Sequence, residues 1–262
     1  MTASRPYFLL TNDDGIHARG LQALVEALRP VADLVVVAPD GPRSGFSMAF
    51  TAGRSLHVEL VSREEGLTRY ACSGTPVDCV KIGLSQYCTR RPDLIVSGIN
   101  HGDNSSVNSH YSGTMGAALE GALQGIPSIG FSLCSLDVSA DFSPLLPYVR
   151  DLSLRTLRLS LPAFTCLNIN FPCLPEFKGV KVVRMARSRW IKEVVVESAP
   201  CQDSGDYRLT GENVELEPEA TDTDRAALAA GYVAVVPTTL DYTSYESLRA
   251  FSAPDSPLNF SE

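Results

Sequence analysis

Phe8 to Gly20 reads FLLTNDDGIHARG, an apolar run followed by Asn12, Asp13, Asp14 and Gly15 and then the approach to a helix. YFLL has the continuous apolar character of a strand covered on both faces. LQALVEALRP puts Leu21, Leu24, Val25 and Leu28 on one helical face before Pro30 ends it. A buried strand feeding a helix through a short polar loop is the first half of a βαβ unit. In that loop Asp13 and Asp14 stand side by side. Adjacent like charges repel unless water screens them or a cation holds them.

The alternation continues outward from this unit. DLVVVAPD is a second buried strand, and GTPVDCVKIGL opens a helix in which Thr75 caps, Pro76 suits the first turn and Asp78 completes a capping box. DLIVSG, IPSIGFSL and TCLNINFP are further strands, separated by the small-residue helix TMGAALEGALQG and a helical stretch over PLLPYVRDLSLRTL. The expected fold class is α/β, a Rossmann-like, doubly wound, mostly parallel sheet with helices on both faces.

From about Gly179 the pattern changes. VKVVRMA, KEVVVES and DYRLTGENVELEP are strand-like without intervening helices, which predicts a C-terminal β-hairpin or arm extension. Thr221 with Asp224, and Thr243 with Glu246, form expected capping boxes for two helices flanking the last strand, YVAVVP. The expected division is a catalytic core over residues 1–178 and an antiparallel extension with an oligomerisation arm over 179–262. The tail SAPDSPLNFSE is expected to fray.

At 262 residues, 44% apolar and 20% charged, the chain buries one large core, or one core plus an appendage. A net charge of -8 argues against a nucleic-acid polymer as partner, since that surface requires a basic stripe. The seven cysteines include no Cys-x-x-Cys pair for zinc and read as reduced packing residues. MTASRPYFLL lacks the apolar centre of a secretory signal, and no run approaches the ~20 apolar residues that span a bilayer. A cytoplasmic location with no membrane contact is expected.

In an open parallel sheet, ligands gather beyond the carboxyl ends of the strands. The first strand delivers Asn12, Asp13 and Asp14 there; the second delivers Asp40, Arg43, Ser44 and Ser47; the LIVSG strand delivers Asn100, Asn104 and the segment up to YSGT. Carboxylates, hydroxyls and amide carbonyls without a thiolate pair suit magnesium or manganese. NDDG is equally compatible with a turn preceding a helix start. Ser112, Gly113 and Thr114 fall at a helix N-terminus, which serves as a phosphate site or as an ordinary cap. Beside a carboxylate-metal site on the same sheet edge, the phosphate reading is the stronger one.

The histidines fit solvated or outer roles at His17, His101 and His110, and a structural role at His57. Trp190 with Arg187 and Arg189 reads as a packing or interface corner. Ser112 lacks the Gly-x-Ser-x-Gly elbow of an acyl-transfer triad.

TNDDGIHARGLQAL, VVAPDGPRSG, GTPVDCV, SGINHGDN and YSGTMGAALEG, in this order, resemble the survival protein SurE family. The resemblance spans Phe8 to about Leu248 and implies a metal-dependent nucleotidase acting on nucleoside 5′- and 3′-monophosphates. It implies Asp13, Asp14, Ser44 and Asn100 as ligands of one divalent ion per subunit, with Asp13, Asp14 and Asn100 catalytic. It implies Ser112, Gly113 and Thr114 as the phosphate site, with Asn12 and Asn104 close by. It further implies a homodimer or homotetramer with an exchanged C-terminal arm. Met48, Ala49 and Phe50 depart from the polar run usual in relatives, in a loop that bears on base preference.

Other readings of the same chain are exopolyphosphatase as the main activity, a haloacid-dehalogenase-type phosphatase and a non-catalytic nucleotide-binding Rossmann module. The second requires Asp-x-Asp where this chain has Asn12 before Asp14, and the third lacks its Gly-x-Gly-x-x-Gly fingerprint.

Overall fold

The structure, a computed structural model, describes residues 5–197, 204–253 and 256–258. β1 (Tyr7–Thr11) leads through the acidic loop into α1 (Arg19–Leu28) and then β2 (Asp33–Pro39). Next come β3 (Val58–Glu64), β4 (Leu67–Cys72) and α2 (Pro76–Ile82). The series continues through β5 (Leu94–His101), α3 (Gly113–Leu123), β6 (Ser128–Cys134), α4 (Leu146–Thr156) and β7 (Thr165–Pro172).

Alternation along the central strands sorts their side chains between two faces. Phe8, Leu10, Leu34 and Val36 join Leu21, Leu24 and Val149 beneath α1 and α4. Tyr7, Leu9, Val35 and Val37 join Cys79, Val80 and Ala117 beneath α2 and α3. Helices therefore cover both faces of the sheet. Each fully buried leucine, valine or phenylalanine contributes about 1.5–3 kcal/mol.

Beyond β7 the chain adds β8 (Val180–Val182), β9 (Ser188–Ile191), β10 (Val194–Val196), β11 (Tyr207–Leu209), β12 (Glu212–Glu215), α5 (Asp224–Ala229), β13 (Val233–Thr239) and α6 (Tyr245–Phe251). The nine-stranded sheet has the order β3-β4-β2-β1-β5-β6-β7-β13-β8. The six strands from β4 to β7 run parallel to one another. β13 returns antiparallel to β7 and pairs β8 at the edge. β9–β12 and β10–β11 are the two ladders of one long hairpin. The chain winds outward from β1 through β2, then crosses back to β5 on the other side. The crevice between the β1 and β5 exits is the topological switch point, where such sheets bind ligands.

Two expected helix caps are corrected, and one hairpin is added. The β3–β4 hairpin went unsignalled because β3 lies exposed at the sheet edge and shows no buried apolar run. α5 is capped by Thr223, not Thr221, because the Asp224 carboxylate accepts from the backbone N–H groups of Ser106 and Ala186 and so ties α5 to other elements. α6 is capped by Ser244, not Thr243, whose N–H donates to Asp241. The Thr75–Asp78 capping box forms as expected. Of the tail from Ser252 to Glu262, residues 254–255 and 259–262 lie outside the described residues.

Candidate active site

The acidic loop is shaped by Asn12. Its side chain donates to the Gly15 carbonyl and accepts from the Gly15 N–H, which closes the turn that carries Asp13 and Asp14. Asp13 is buried, and its Oδ1 accepts the Thr114 hydroxyl at 2.5 Å. Asp14 Oδ2 accepts the His101 N–H at 3.1 Å. Both acids are thus held by neutral donors. The nearby cations are engaged elsewhere, Arg43 by Asp40 and Arg225 by Asp103 and Glu215.

Burial pushes the Asp13 carboxyl up to about 6, against the Thr114 hydrogen bond and assisted by repulsion from Asp14. Burial likewise raises Asp14, opposed by the His101 N–H and the charge of its ring. A buried acid next to a half-buried one, with no Lys or Arg partner among the described residues, is an electrostatic deficit.

Two glycines set the geometry around this pair. A Cβ on Gly113 would lie 2.9 Å from Asp13 Cβ, so only glycine lets the start of α3 approach the acid this closely. Gly98, at φ +131°, lies in a β5 bulge between Ser97 and Asn100. A Cβ there would meet the Phe131 carbonyl at 2.4 Å. Bulges re-aim the side chains that follow them. Asn100 is one such residue: its Nδ2 donates to the Gly102 carbonyl, which leaves the amide oxygen as the group it can offer a ligand.

The β2–β3 loop folds over the same edge. Arg43 N–H donates to the Asp13 carbonyl, and the Ser47 hydroxyl donates to the His110 carbonyl. Ser44, exposed between these anchors, is brought to the rim.

A cavity of about 650 Å³ opens beside the switch point, and Asp13, Ser44, Asn100, Asn104 and Ser112 line it. Asp14 and His101 face an adjoining cavity of about 190 Å³. Asn12 is turned into its own loop, and the Thr114 hydroxyl is taken by Asp13. Ser112 Oγ accepts from Met115 N–H as the cap of α3. His17, His57 and His110 are exposed. A separate cavity of about 280 Å³, walled by Met48, Met115, Leu119 and Met185, lies on the other side of Ser112.

The groups that hold Asn104 escaped the sequence reading, although Asn104 itself did not. Asn104 is clamped by a buried amide network: its N–H donates to Asn170, its side chain to Ser132, and its carbonyl accepts from Asn168. The available signal was the pair of asparagines in LNIN, polar residues inside an otherwise apolar strand. Asp103, with Arg225 against it, and Trp190 and Asn213 of the β9–β12 ladder also line the large cavity.

The donor set of two carboxylates, a hydroxyl and an amide oxygen fits a hard divalent cation that keeps several waters. Among the described residues no group of three or more His, Cys, Asp or Glu forms a metal cluster, so a thiolate or imidazole centre is not what this set resembles.

Residues 8–192 match the family model described as Survival protein SurE. The chain belongs to the survival protein SurE family. Among relatives of this SurE-family chain, the protein named 5′-nucleotidase SurE from Bacteroides thetaiotaomicron is 51% identical over 246 residues, 94% of each chain. The protein of the same name from Bacteroides fragilis is 49% identical over 94% of this chain and 96% of its own. The crystal structure of the Sure protein from Aquifex aeolicus superposes with a TM-score of 0.80 at 34% identity, covering 94% of this chain and 98% of that one. No helix of the described residues is long and apolar enough to cross a membrane.

Proposed function

We propose that this SurE-family chain is a phosphomonoesterase that hydrolyses nucleoside 5′- and 3′-monophosphates to nucleoside and phosphate. The observation that carries the reading is the Asp13–Asp14 pair, raised in pKa by burial and without a Lys or Arg partner among the described residues, beside a cavity walled by oxygen and amide groups. The printed names of the two Bacteroides relatives point the same way.

Asp13, Asp14, Ser44 and Asn100 would hold one magnesium or manganese ion per subunit. When bound, such an ion polarises phosphoryl oxygens and acidifies a water enough to attack phosphorus near neutral pH. The chain's own residues do the rest. Asn104, fixed by Asn168, Asn170 and Ser132, and Ser112 at the start of α3 hold the phosphoryl oxygens as charge develops on them. Gly113 and Thr114 act one step back, the first by admitting Asp13 close to α3 and the second by fixing its carboxylate. A carboxylate of the site takes the proton released as water bonds to phosphorus and passes it to the nucleoside oxygen as the P–O bond breaks, so that the nucleoside leaves as the alcohol and the carboxylate is restored.

A homo-oligomer with an exchanged C-terminal arm belongs to the same proposal. It is supported by α6, none of whose residues is buried and which presents Tyr245, Leu248 and Phe251 to solvent.

The deciding experiment measures phosphate release from adenosine 5′-monophosphate in manganese, then after chelation. Release that stops in chelator and returns with metal is expected. Nucleotide binding without release in any divalent ion would refute catalysis.

A further inference from the structure

The cavity of about 650 Å³ is within the range of roughly 300–1,000 Å³ that receives whole small molecules, and it is larger than a phosphate requires. Asp13, Ser44 and Asn100 line one part of it. The opposite wall is built by the β9–β12 ladder, where Trp190 and Asn213 are direct cross-strand partners. Cross-strand partners project from the same face, so the indole and the amide stand side by side.

A chain of hydrogen bonds fixes the orientation of each group. The Asn108 side-chain N–H₂ donates to the Asp103 carbonyl and carboxylate. Its Oδ1 therefore faces the hairpin, accepting Trp190 Nε1 at 3.0 Å and Asn213 Nδ2 at 3.3 Å. Asp103 is itself held by Arg225. Once Asn213 has turned its N–H₂ to Asn108, its Oδ1 is left over. That oxygen is buried and has no donor among the described residues. An acceptor shielded from water and left unpaired costs stability, and an incoming donor relieves that cost. The terminal torsion of an asparagine is soft, so rotation about it turns Oδ1 to the cavity while the ladder stays in place, exchanging the long 3.3 Å bond to Asn108 for one to the incoming donor.

We infer that this wall receives the nucleobase, Trp190 offering a fixed stacking face and Asn213 Oδ1 accepting from an exocyclic amino group. The inference rests on the phosphomonoesterase reading and extends it to the choice of base. Nucleotides whose base carries an amino group are preferred over their oxo counterparts: adenosine over inosine monophosphate, and cytidine over uridine monophosphate. Asn108, Asp103 and Arg225 are positioning residues for the two that touch the base.

Trp190 is the single tryptophan of the chain, so its emission reports on the wall directly. In saturating manganese, adenosine is expected to change that emission saturably, while ribose is not. Trp190→Ala is expected to raise KM for adenosine 5′-monophosphate roughly ten- to hundredfold, the loss that follows removal of a stacked ring. Turnover of ribose 5-phosphate, which has no base, should fall far less than that of adenosine 5′-monophosphate in that variant. Asn213→Ala should bring the ratio of kcat/KM for the adenosine and inosine monophosphates close to one. Trp190→Phe, which keeps a ring but loses the N–H to Asn108, guards against a folding defect; it should retain most of the affinity and loosen the discrimination. Unchanged emission with adenosine, together with unchanged KM in Trp190→Ala and Asn213→Ala, would overturn the inference. If neither ribose 5-phosphate nor any nucleotide releases phosphate, the phosphomonoesterase reading fails, and the emission titration still decides whether the wall binds a base.

Discussion

The Thr114 hydroxyl donates to Asp13 Oδ1 at 2.5 Å and ties the exit of β1 to the first turn of α3, 101 residues later in the chain. This bond lowers the carboxyl's pKa where burial raises it, so it favours the ionised form that a cation requires. Thr114→Val removes the donor while keeping the shape. Manganese affinity, measured by calorimetry, should fall about 10- to 100-fold, as for other groups that orient a metal ligand. Unchanged affinity would mean that Asp13 is positioned by Gly113 packing alone.

Asp14 is the acid whose side chain faces the smaller cavity shared with His101. Asp14→Asn should cut turnover of adenosine 5′-monophosphate at saturating manganese by roughly 100-fold or more. Full turnover in that variant would remove Asp14 from the metal set.

A third expectation concerns acidity. The Asp13 carboxyl lies near 6 in the folded chain and near 3.8 when exposed. Between these values the folded state holds a proton that the unfolded state has released, so stability falls as pH rises through 6. In chelator, lowering the pH from 7 to 5 should therefore stabilise the protein through this group by about 1 kcal/mol. Asp13→Asn should remove that increment, which appears as the difference between the two denaturation series. Saturating manganese should reverse the trend, since protons then compete with the ion.

Gly98→Ala tests the bulge that aims Asn100. With φ at +131° and the Phe131 carbonyl 2.4 Å from an added Cβ, the substitution should cost about 2–4 kcal/mol in urea denaturation. Gly53 offers a control: it also has positive φ, at +68°, but nothing lies within 4 Å of an added Cβ. Gly53→Ala should cost only about 1 kcal/mol. Equal losses would show that backbone strain, not the contact with β6, governs Gly98.

The parallel core was legible because its strands are covered on both faces and so read as unbroken apolar runs, from Phe8 through Val36 to Ile95. The β3–β4 hairpin was not, because an edge strand faces water and carries the mixed composition of a loop. Helix caps were legible to within two residues. Their final positions were set by distant partners, such as Ser106 and Ala186 on Asp224.

For the site, sequence by itself determined which candidate donors the chain offers: Asp13 and Asp14 in one loop, Ser44 in a second, and Asn100, Asn104 and Ser112 around a third. Strand order is a property of pairing over long separations, and only the tertiary structure decided that β1 and β5 are neighbours with their exits flanking one crevice. The structure also decided which groups face the cavity and which support from behind, turning Asn12 into its turn and Thr114 onto Asp13. Trp190 and Asn213 became part of the cavity wall through a ladder formed by segments more than twenty residues apart. Local chemistry names the groups a chain can offer. Which of them meet depends on contacts that no local pattern encodes.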